Sequence, residues 1–421
     1  MKVIIMAGGK GTRISSVASD IPKPMIKIDG KPVLEHEIEC LNKQGFKDLI
    51  ITISHLGSII MDYFGDGSKF GVKIEYFNEV TPLGNAGALF QLKDKLTEDF
   101  LLLNADAIFD IDFNRFIKYH KEKGGLVTLF THPNSHPYDS GLIITDNEMR
   151  VLKWLTKEEE RPIYYKNRVN AGIHVISPKI LEQVIDTPKI DLDRQLLKPL
   201  AGTGMIYAYD SPEYVKDMGT PDRFYSVCDD FKKEIVQKRN LLNKQKAIFL
   251  DRDGTINKYV GFLRDINEFE LIDGVVEAIK KINHSEYLCI VITNQPVIAR
   301  GEVTFDELDQ IHNKMETLLG NEGCFIDGLY FCPHHKDKGF AGEIAELKFD
   351  CECRKPKPGM LFQASKDFNI DLSQSYMIGD DKNDVLCGKN ALCKTGLIGD
   401  DKSLKADYYG LNLLDIVNEI L

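Results

Sequence analysis

Short apolar runs bounded by polar turns recur along the chain. In the first half they occupy residues 3–7, 49–53, 100–103 and 126–130, and in the second 247–250, 288–293, 328–331 and 376–379. Runs of this length suit buried strands, and the amphipathic stretches between them suit helices, so both halves read as α/β. Near residue 230 the pattern changes. Residues 229–246 are rich in Lys, Glu, Asn and Gln, with apolar positions only at Phe231, Ile235, Val236, Leu241 and Leu242. Such a composition forms helix well but offers a thin apolar stripe, which predicts a helical connector. The expected organisation is a first domain over 1–235, a connector over 236–246 and a second domain over 247–421, with no internal repeat.

Composition narrows the function classes. At 421 residues the chain exceeds one ordinary core, and 43% hydrophobic with 28% charged residues describes a globular protein. A net charge of −11 argues against a nucleic-acid partner, which needs a basic footprint. It leaves nucleotides open, since a few cations and backbone amides hold phosphates. No run approaches the ~18 apolar residues of a membrane span. The opening apolar stretch is too short for a signal-peptide core and runs into a glycine turn. Nine cysteines, an odd number, fit a reducing compartment, so the cytoplasm is the expected location. Oligomeric state leaves no mark in the sequence.

Two groups of motifs carry chemistry. The first begins with Met6-Ala7-Gly8-Gly9-Lys10-Gly11-Thr12-Arg13 after the opening strand, where glycines let backbone amides approach phosphate oxygens. Pro22-Lys23-Pro24 sets a second cation on a stiffened turn. Leu83-Gly84-Asn85-Ala86-Gly87 is a glycine-punctuated entry to a helix. Asp106 lies just past the strand at 100–103, at the sheet edge where ligands bind, and Asp217 stands in a second turn. Two such carboxylates can hold Mg²⁺ and leave positions for phosphate and water.

In this order and spacing the motifs of residues 1–230 resemble the sugar-1-phosphate nucleotidyltransferases, whose fold is a Rossmann-like, GT-A-like mixed sheet. The resemblance implies that Arg13 and Lys23 bind phosphates, with Gly8, Gly9, Gly11, Thr12, Gly84, Asn85 and Gly87 around the nucleotide. It further implies that Asp106 and Asp217 ligate Mg²⁺ and that Asn170 and Gly172 of the Asn-Ala-Gly turn contact the sugar. Lys157 resembles the family's sugar-phosphate lysine, although the usual Glu-Lys order is not kept. Residues 131–141 look like the loop of the heptose 1-phosphate guanylyltransferase branch, with His132 and His136 read as structural or substrate contacts rather than metal ligands.

The second group starts where the strand at 247–250 ends in Asp251-Arg252-Asp253-Gly254-Thr255. Two carboxylates at i and i+2 can divide the work of nucleophile and acid–base group around one Mg²⁺. Thr293-Asn294 follows another strand, Arg354-Lys355 supplies cations, and Asp380-Asp381 follows a third strand with Asp384 beyond. Residues 247–400 resemble the haloacid dehalogenase-like phosphatases, a Rossmannoid α/β family. By that resemblance Asp251 is the nucleophile, Asp253 the general acid and base, Thr293 and Lys355 the phosphoryl stabilisers, and Asp380 completes the Mg²⁺ site with Asp251 and Asp253. Asn294 and Arg354 join the substrate contacts. Cys332, His334, Cys351 and Cys353 provide three thiols and an imidazole, enough for a closed Zn²⁺ site that braces Arg354 and Lys355.

This quartet, together with Pro358-Gly359-Met360 and Ala299-Arg300-Gly301, resembles the heptose 1,7-bisphosphate phosphatases, with Arg300 as the distal-phosphate contact. Histidinol-phosphate phosphatases share much of the pattern. Two departures, Pro296-Val297 after Gln295 and the 257–261 loop, bear on the substrate. The two resemblances imply consecutive reactions. Heptose 1,7-bisphosphate, as the D-glycero-α-D-manno form, loses its 7-phosphate, and the heptose 1-phosphate reacts with GTP to give GDP-heptose. The competing expectations are a different sugar 1-phosphate with UTP or CTP, a histidinol-phosphate-type phosphatase, or a second half that only regulates.

Overall fold

The computed structural model describes residues 1–8, 21–54, 56–79, 81, 83–183, 187 and 189–421; of the candidate residues, Gly9, Gly11, Thr12 and Arg13 lie outside this set. Contacts divide the chain into two units. Unit 1 comprises Met1–His132, Gly141–Thr156 and Arg168–Asn240, and unit 2 comprises Pro133–Ser140, Lys157–Asn167 and Leu241–Leu421.

Unit 1 is built on a mixed sheet that has nine strands among the described residues. Its centre is parallel: Val3–Met6 lies between Asp48–Ile53 and Phe100–Asn104, pairing Ile5 with Ile51 and with Leu103. Val169–Ile176 then runs antiparallel to Phe100–Asn104 and, on its other side, to Val127–His132, where the register shifts between Asn170 and His174. The central strands are apolar on both faces because both faces are covered. One face packs with Leu34, Ile38, Phe113 and Phe116, and the other with Leu89, Leu92, Leu196 and Leu197. A separate two-stranded ladder joins Ala107–Asp110 to Tyr214–Asp217.

Unit 2 carries a six-stranded, wholly parallel sheet. We number its four site-bearing strands β1 (Lys246–Leu250), β2 (Tyr287–Asn294), β3 (Gly328–Cys332) and β4 (Tyr376–Gly379), which lie side by side in the order β3-β2-β1-β4. Helices cover both faces. The longest, α1 (Phe305–Asn321), starts at a reciprocal cap in which Thr304 and Glu307 each satisfy the other's backbone N–H.

Two expectations need correction. The 229–246 stretch is not one helix. A helix over Pro221–Lys232 ends, Glu234 adopts a left-handed φ of 59°, and only Ile235–Lys238 resumes before turns lead into β1. Most of the thin stripe is buried, since Ile235 and Val236 pack with Ile26, Val33 and Met218 and Leu241 is buried too, while Leu242 stays exposed; Asn240 donates to Asp110 at 2.6 Å. Unit 2 also takes in residues 133–140 and 157–167, which the sequence reading assigned to the first domain. These polar segments satisfy their backbone on α1 and on each other. Tyr165 N–H donates to Thr317 Oγ1 at 2.8 Å, Asn167 N–H to Glu316 Oε2 at 2.9 Å, and Arg161 Nη1 to the Pro137 carbonyl at 2.6 Å.

Candidate active sites

In unit 1 the strand end at Asn104 leads to Asp106, which meets Lys23 at 2.9 Å; the lysine side chain is 10% exposed and the carboxylate 47%. Asp217 lies on the neighbouring ladder, where Met218 N–H reaches the Asp106 carbonyl at 3.4 Å. Arg223 Nη1, at 3.0 and 3.1 Å, and the Gly219 N–H, at 2.8 Å, hold the Asp217 carboxylate. The backbone segments that carry Asp106 and Asp217 are thus neighbours, and each carboxylate faces a cation, Lys23 and Arg223 respectively. Arg223 was not singled out from sequence; its signal is a first-turn position six residues beyond Asp217.

The sugar-side candidates sit on the same sheet edge. Asn170 Oδ1 accepts from the Gly172 N–H at 3.3 Å and pairs with His174 Nε2 at 3.1 Å. Gly172 has φ +73° and lies so close to Asn104 that a Cβ would stand 2.4 Å from its amide nitrogen, so the turn admits only glycine. The Gly8 carbonyl accepts from Ser54 Oγ at 2.7 Å. Gly84, Asn85 and Gly87 serve a structural purpose that sequence did not suggest. Ala86 N–H donates to the Ile190 carbonyl at 3.0 Å, Asn85 Oδ1 accepts from the Leu192 N–H at 2.6 Å, and Gly87 packs on Leu83. The segment that carries Lys157 belongs by contacts to unit 2.

In unit 2 the C-terminal ends of β1, β2 and β4 converge, as parallel strands make them do. They deliver Asp251, Thr293 and Asp380 to a cavity of about 240 Å³ also lined by Asp253, Asn294, Gln295, Arg354, Lys355 and Asp384. Lys355 Nζ ion-pairs with Asp251 Oδ1 and Asp384 Oδ1, both at 2.7 Å, with its side chain 2% exposed. Asp251 Oδ1 also accepts the Arg252 N–H at 2.7 Å, and among the described residues Oδ2 has no bonded partner. Asp251, Asp380 and Asp384 can each offer an oxygen within 4.8 Å of the others. Burial pushes Asp251 up to about 7, despite Lys355, and Asp380 up to about 6, with the charge of Asp251 adding to the second shift. Asp384 is raised by burial as well, so three crowded acids resist ionising together. A divalent cation would relieve that repulsion, and the donor set is all oxygen, as Mg²⁺ requires.

Asp253 is held from three sides. The fully buried Arg252 donates Nη2 to both its oxygens at 2.8 Å, Asn257 Nδ2 reaches Oδ1 at 3.1 Å, and Gln295 Nε2 reaches Oδ2 at 2.8 Å. Arg252 in turn has Nη1 3.2 Å from His312 Nε2 on α1. Gly254, at φ +82°, lets Asp380 approach, where a Cβ would meet its Oδ2 at 2.1 Å. Asn294 lines the cavity, yet both arms of its amide bind backbone. Nδ2 donates to the Lys355 carbonyl at 3.1 Å and Oδ1 accepts the Lys355 N–H at 3.0 Å. Asn294 is therefore a positioning residue for Lys355. Asp384, which the sequence showed beyond Asp380 without assigning it a role, is the second carboxylate on Lys355.

The four soft donors also come together. Cys353 Sγ lies 3.2 Å from Cys332 Sγ, 3.3 Å from Cys351 Sγ and 3.2 Å from His334 Nδ1, and Cys332 and Cys351 are 3.5 Å apart. The three cysteines are free thiols. The edge of a tetrahedron with Zn–S bonds of 2.3 Å is roughly 3.8 Å, close to these separations. Hydrogen bonding from Cys332, then from Cys351 and His334, lowers Cys353 to about 5, so one ligand is ready as thiolate. The cluster is coupled to the cavity through Arg354, whose Nη1 donates to the His334 carbonyl at 3.3 Å, and through Gln295 N–H to the Cys332 carbonyl at 2.8 Å. Among the described residues no helix is long and apolar enough to cross a membrane.

Comparisons with known proteins match the two halves of the chain to different families. The family described as nucleotidyl transferase matches residues 2–234, and the HAD-hydrolase-like family matches residues 352–412. Over 179 residues the chain is 43% identical to D-glycero-β-D-manno-heptose-1,7-bisphosphate 7-phosphatase of Pasteurella multocida (strain Pm70), covering 41% of this chain and 95% of that protein. Over 254 residues it is 32% identical to UTP–glucose-1-phosphate uridylyltransferase of Synechocystis sp., covering 56% of this chain and 64% of that protein. A solved structure of HddC from Yersinia pseudotuberculosis is 27% identical and covers 55% of this chain and 99% of its own, with a TM-score of 0.48.

Proposed function

Because the chain belongs to the nucleotidyl transferase family over residues 2–234 and its C-terminal part to the heptose-1,7-bisphosphate 7-phosphatases, we propose that it makes GDP-heptose in two consecutive reactions. The observation that carries the first reaction is the Asp251 carboxylate. Lys355 holds Oδ1 at 2.7 Å, while among the described residues Oδ2 has no bonded partner beside the cavity. Oδ2 attacks the phosphorus of the 7-phosphate, the bond from phosphorus to the sugar oxygen breaks, and Asp253 gives that oxygen its proton. Asp253 then takes a proton from water, which attacks the aspartyl-phosphate and releases inorganic phosphate and free Asp251. Thr293 and Lys355 face the phosphoryl oxygens. Asp251, Asp380, the Asp253 carbonyl and Asp384 would hold Mg²⁺, which supplies charge neutralisation when bound.

In the second reaction an oxygen of heptose 1-phosphate attacks the α-phosphorus of GTP and pyrophosphate leaves. Two anions must meet, so the protein's task is alignment and neutralisation rather than nucleophilic attack. Lys23, together with Arg13, meets phosphate charge, and Asp106 and Asp217 would hold Mg²⁺ between them. Asn170 and Gly172 would face the sugar. The choice of GTP rests on the likeness of residues 131–141 to the guanylyltransferase branch. Cys332, His334, Cys351 and Cys353 would bind a structural Zn²⁺. A GTP-consuming enzyme with nine free cysteines belongs in the cytoplasm.

Asp251→Asn tests the division of labour. It should abolish phosphate release and leave pyrophosphate release from GTP plus heptose 1-phosphate intact, whereas Asp106→Asn should do the reverse. Loss of both activities in either variant would contradict two independent sites. The curated relatives carry the β anomer in their names, whereas the sequence reading takes the α form, so both anomers are supplied in the assay.

A further inference from the structure

Three segments of unit 2 meet at one side chain outside the reacting groups. Residues 258–263 contribute Phe262 to the cavity wall, the turn after β2 carries Arg300, and the loop leading from His334 toward Cys351 carries His335 and Phe340. The Arg300 guanidinium lies between two rings, its carbon 4.1 Å from the Phe262 centroid and 4.5 Å from that of Phe340. Its edge is engaged too, with Nη2 3.3 Å from His335 Nε2. His335 Nδ1 lies 3.4 Å from the Asp337 carbonyl, so the tautomer protonated at Nδ1 satisfies both contacts, with Nε2 accepting from the arginine. Phe340 is fixed from elsewhere by Lys348, whose buried ammonium is 4.4 Å from the ring centroid and 3.4 Å from Glu343. Ile344 N–H donates to the Ala299 carbonyl at 3.0 Å and ties this loop to the residue before Arg300. Arg300 is not among the residues lining the cavity, whereas Phe262, 41% exposed, is.

We infer that Arg300 is a clamp rather than a substrate contact: it bolts Phe262 onto the Phe340 loop, and Phe262 thereby sets where the substrate lies beyond its reacting phosphate. The inference rests on the phosphatase reading of this cavity and replaces the distal-phosphate role expected for Arg300. The physical argument is occupancy. A guanidinium that carries two rings and an imidazole at Nη2, with its Nε buried and unpartnered among the described residues, keeps little surface for a second anion, while the exposed phenyl ring beside Gly261 has Arg300 as its nearer cation, Arg264 lying 5.9 Å from its centroid.

The test separates KM from kcat. Phe340→Leu removes one ring of the stack without touching any charge, and Phe340→Tyr restores the ring. With the heptose bisphosphate, Phe340→Leu should raise KM about fivefold, the factor expected for one cation–π contact, with kcat within about twofold. With acetyl phosphate, which carries almost nothing beyond the reacting group, KM should not move. Phe340→Tyr should behave as the parent, and Arg300→Met combined with Phe340→Leu should be no worse than Arg300→Met alone. A raised KM in Arg300→Met with Phe340→Leu silent would mean that Arg300 touches substrate, and would overturn the clamp. Equal damage toward acetyl phosphate would also overturn it.

A substrate-free measurement keeps the clamp distinct from the phosphatase reading. In Phe262→Trp, with the signal of the single native Trp154 subtracted, acrylamide quenching should rise about twofold or more when Arg300→Met is added. Unchanged quenching refutes the clamp whatever the substrate proves to be. Increased quenching alongside no hydrolysis of the bisphosphate upholds the clamp and refutes the phosphatase assignment alone.

Discussion

Asp384→Asn removes one of the two carboxylates on Lys355, and its consequences can be worked from the geometry. Asp384 is 1% exposed and faces two donors, with Oδ1 2.7 Å from Lys355 Nζ and Oδ2 3.1 Å from the Asp381 N–H that begins the helix Lys382–Asn390. An asparagine offers one acceptor and one donor, so its NH₂ must point at either the ammonium or the backbone N–H. A charge-assisted bond is lost and a buried donor faces a donor, together costing about 2–4 kcal/mol. Two effects pull toward the lower end: Lys355 keeps Asp251, and the repulsion with Asp380 that helps raise Asp384 is removed. At about 2 kcal/mol, a unit of roughly 200 residues should melt about 4–8 °C lower. Phosphate release at fixed Mg²⁺ should fall about 10- to 100-fold, as when support to a metal site is removed. Pyrophosphate release should not change. Differential scanning calorimetry and the two product assays check this. An unshifted melting point with unchanged Mg²⁺ dependence would refute the reasoning that Asp384 is a working member of the site.

Further outcomes follow from the same geometry. Cys353→Ser should lose about one equivalent of zinc by atomic absorption and lower the stability of unit 2 by several kcal/mol, whereas unchanged metal content would dismiss the zinc assignment. Asp251 and Asp380 sit above the ordinary carboxylate range, so the metal-free unit should lose stability as pH rises from about 4 through 7. Mg²⁺ should bind more tightly over the same interval with proton release measurable by calorimetry in two buffers; pH-independent binding would contradict the crowding of the three acids. Burial holds His174 down at about 3, so below pH 6.5 unfolding gains a proton that the fold refuses. Unit 1 should lose about 2 kcal/mol between pH 6.5 and 5, and His174→Gln should largely remove that slope in urea titrations.

Residues at strand ends could be read from the chain because parallel strands converge at their C-terminal edge. Asp251, Thr293 and Asp380 needed only an apolar run followed by the right side chain, and Cys332, His334, Cys351 and Cys353 needed only two close pairs. What escaped depends on distant partners. The grip of Glu316 and Thr317 on residues 165–167 spans about 150 positions, so nothing local assigns residues 157–167 to unit 2. The bidentate hold of Arg252 on Asp253 needs a fully buried arginine, which composition disfavours. Gly84 and Asn85 carry a family motif, but their visible bonds tie the turn to residues 190–192. The connector misled because Arg239 and Asn240, polar in sequence, are buried in the fold.

The most direct test of two consecutive activities in one chain is a single incubation of the intact protein with heptose 1,7-bisphosphate, Mg²⁺ and each nucleoside triphosphate in turn, with phosphate, pyrophosphate and sugar products followed separately. The account predicts that phosphate release precedes pyrophosphate release and that GDP-heptose forms with GTP alone. Phosphate release with no nucleotide sugar from any triphosphate, or a nucleotide sugar that still carries its 7-phosphate, would contradict it.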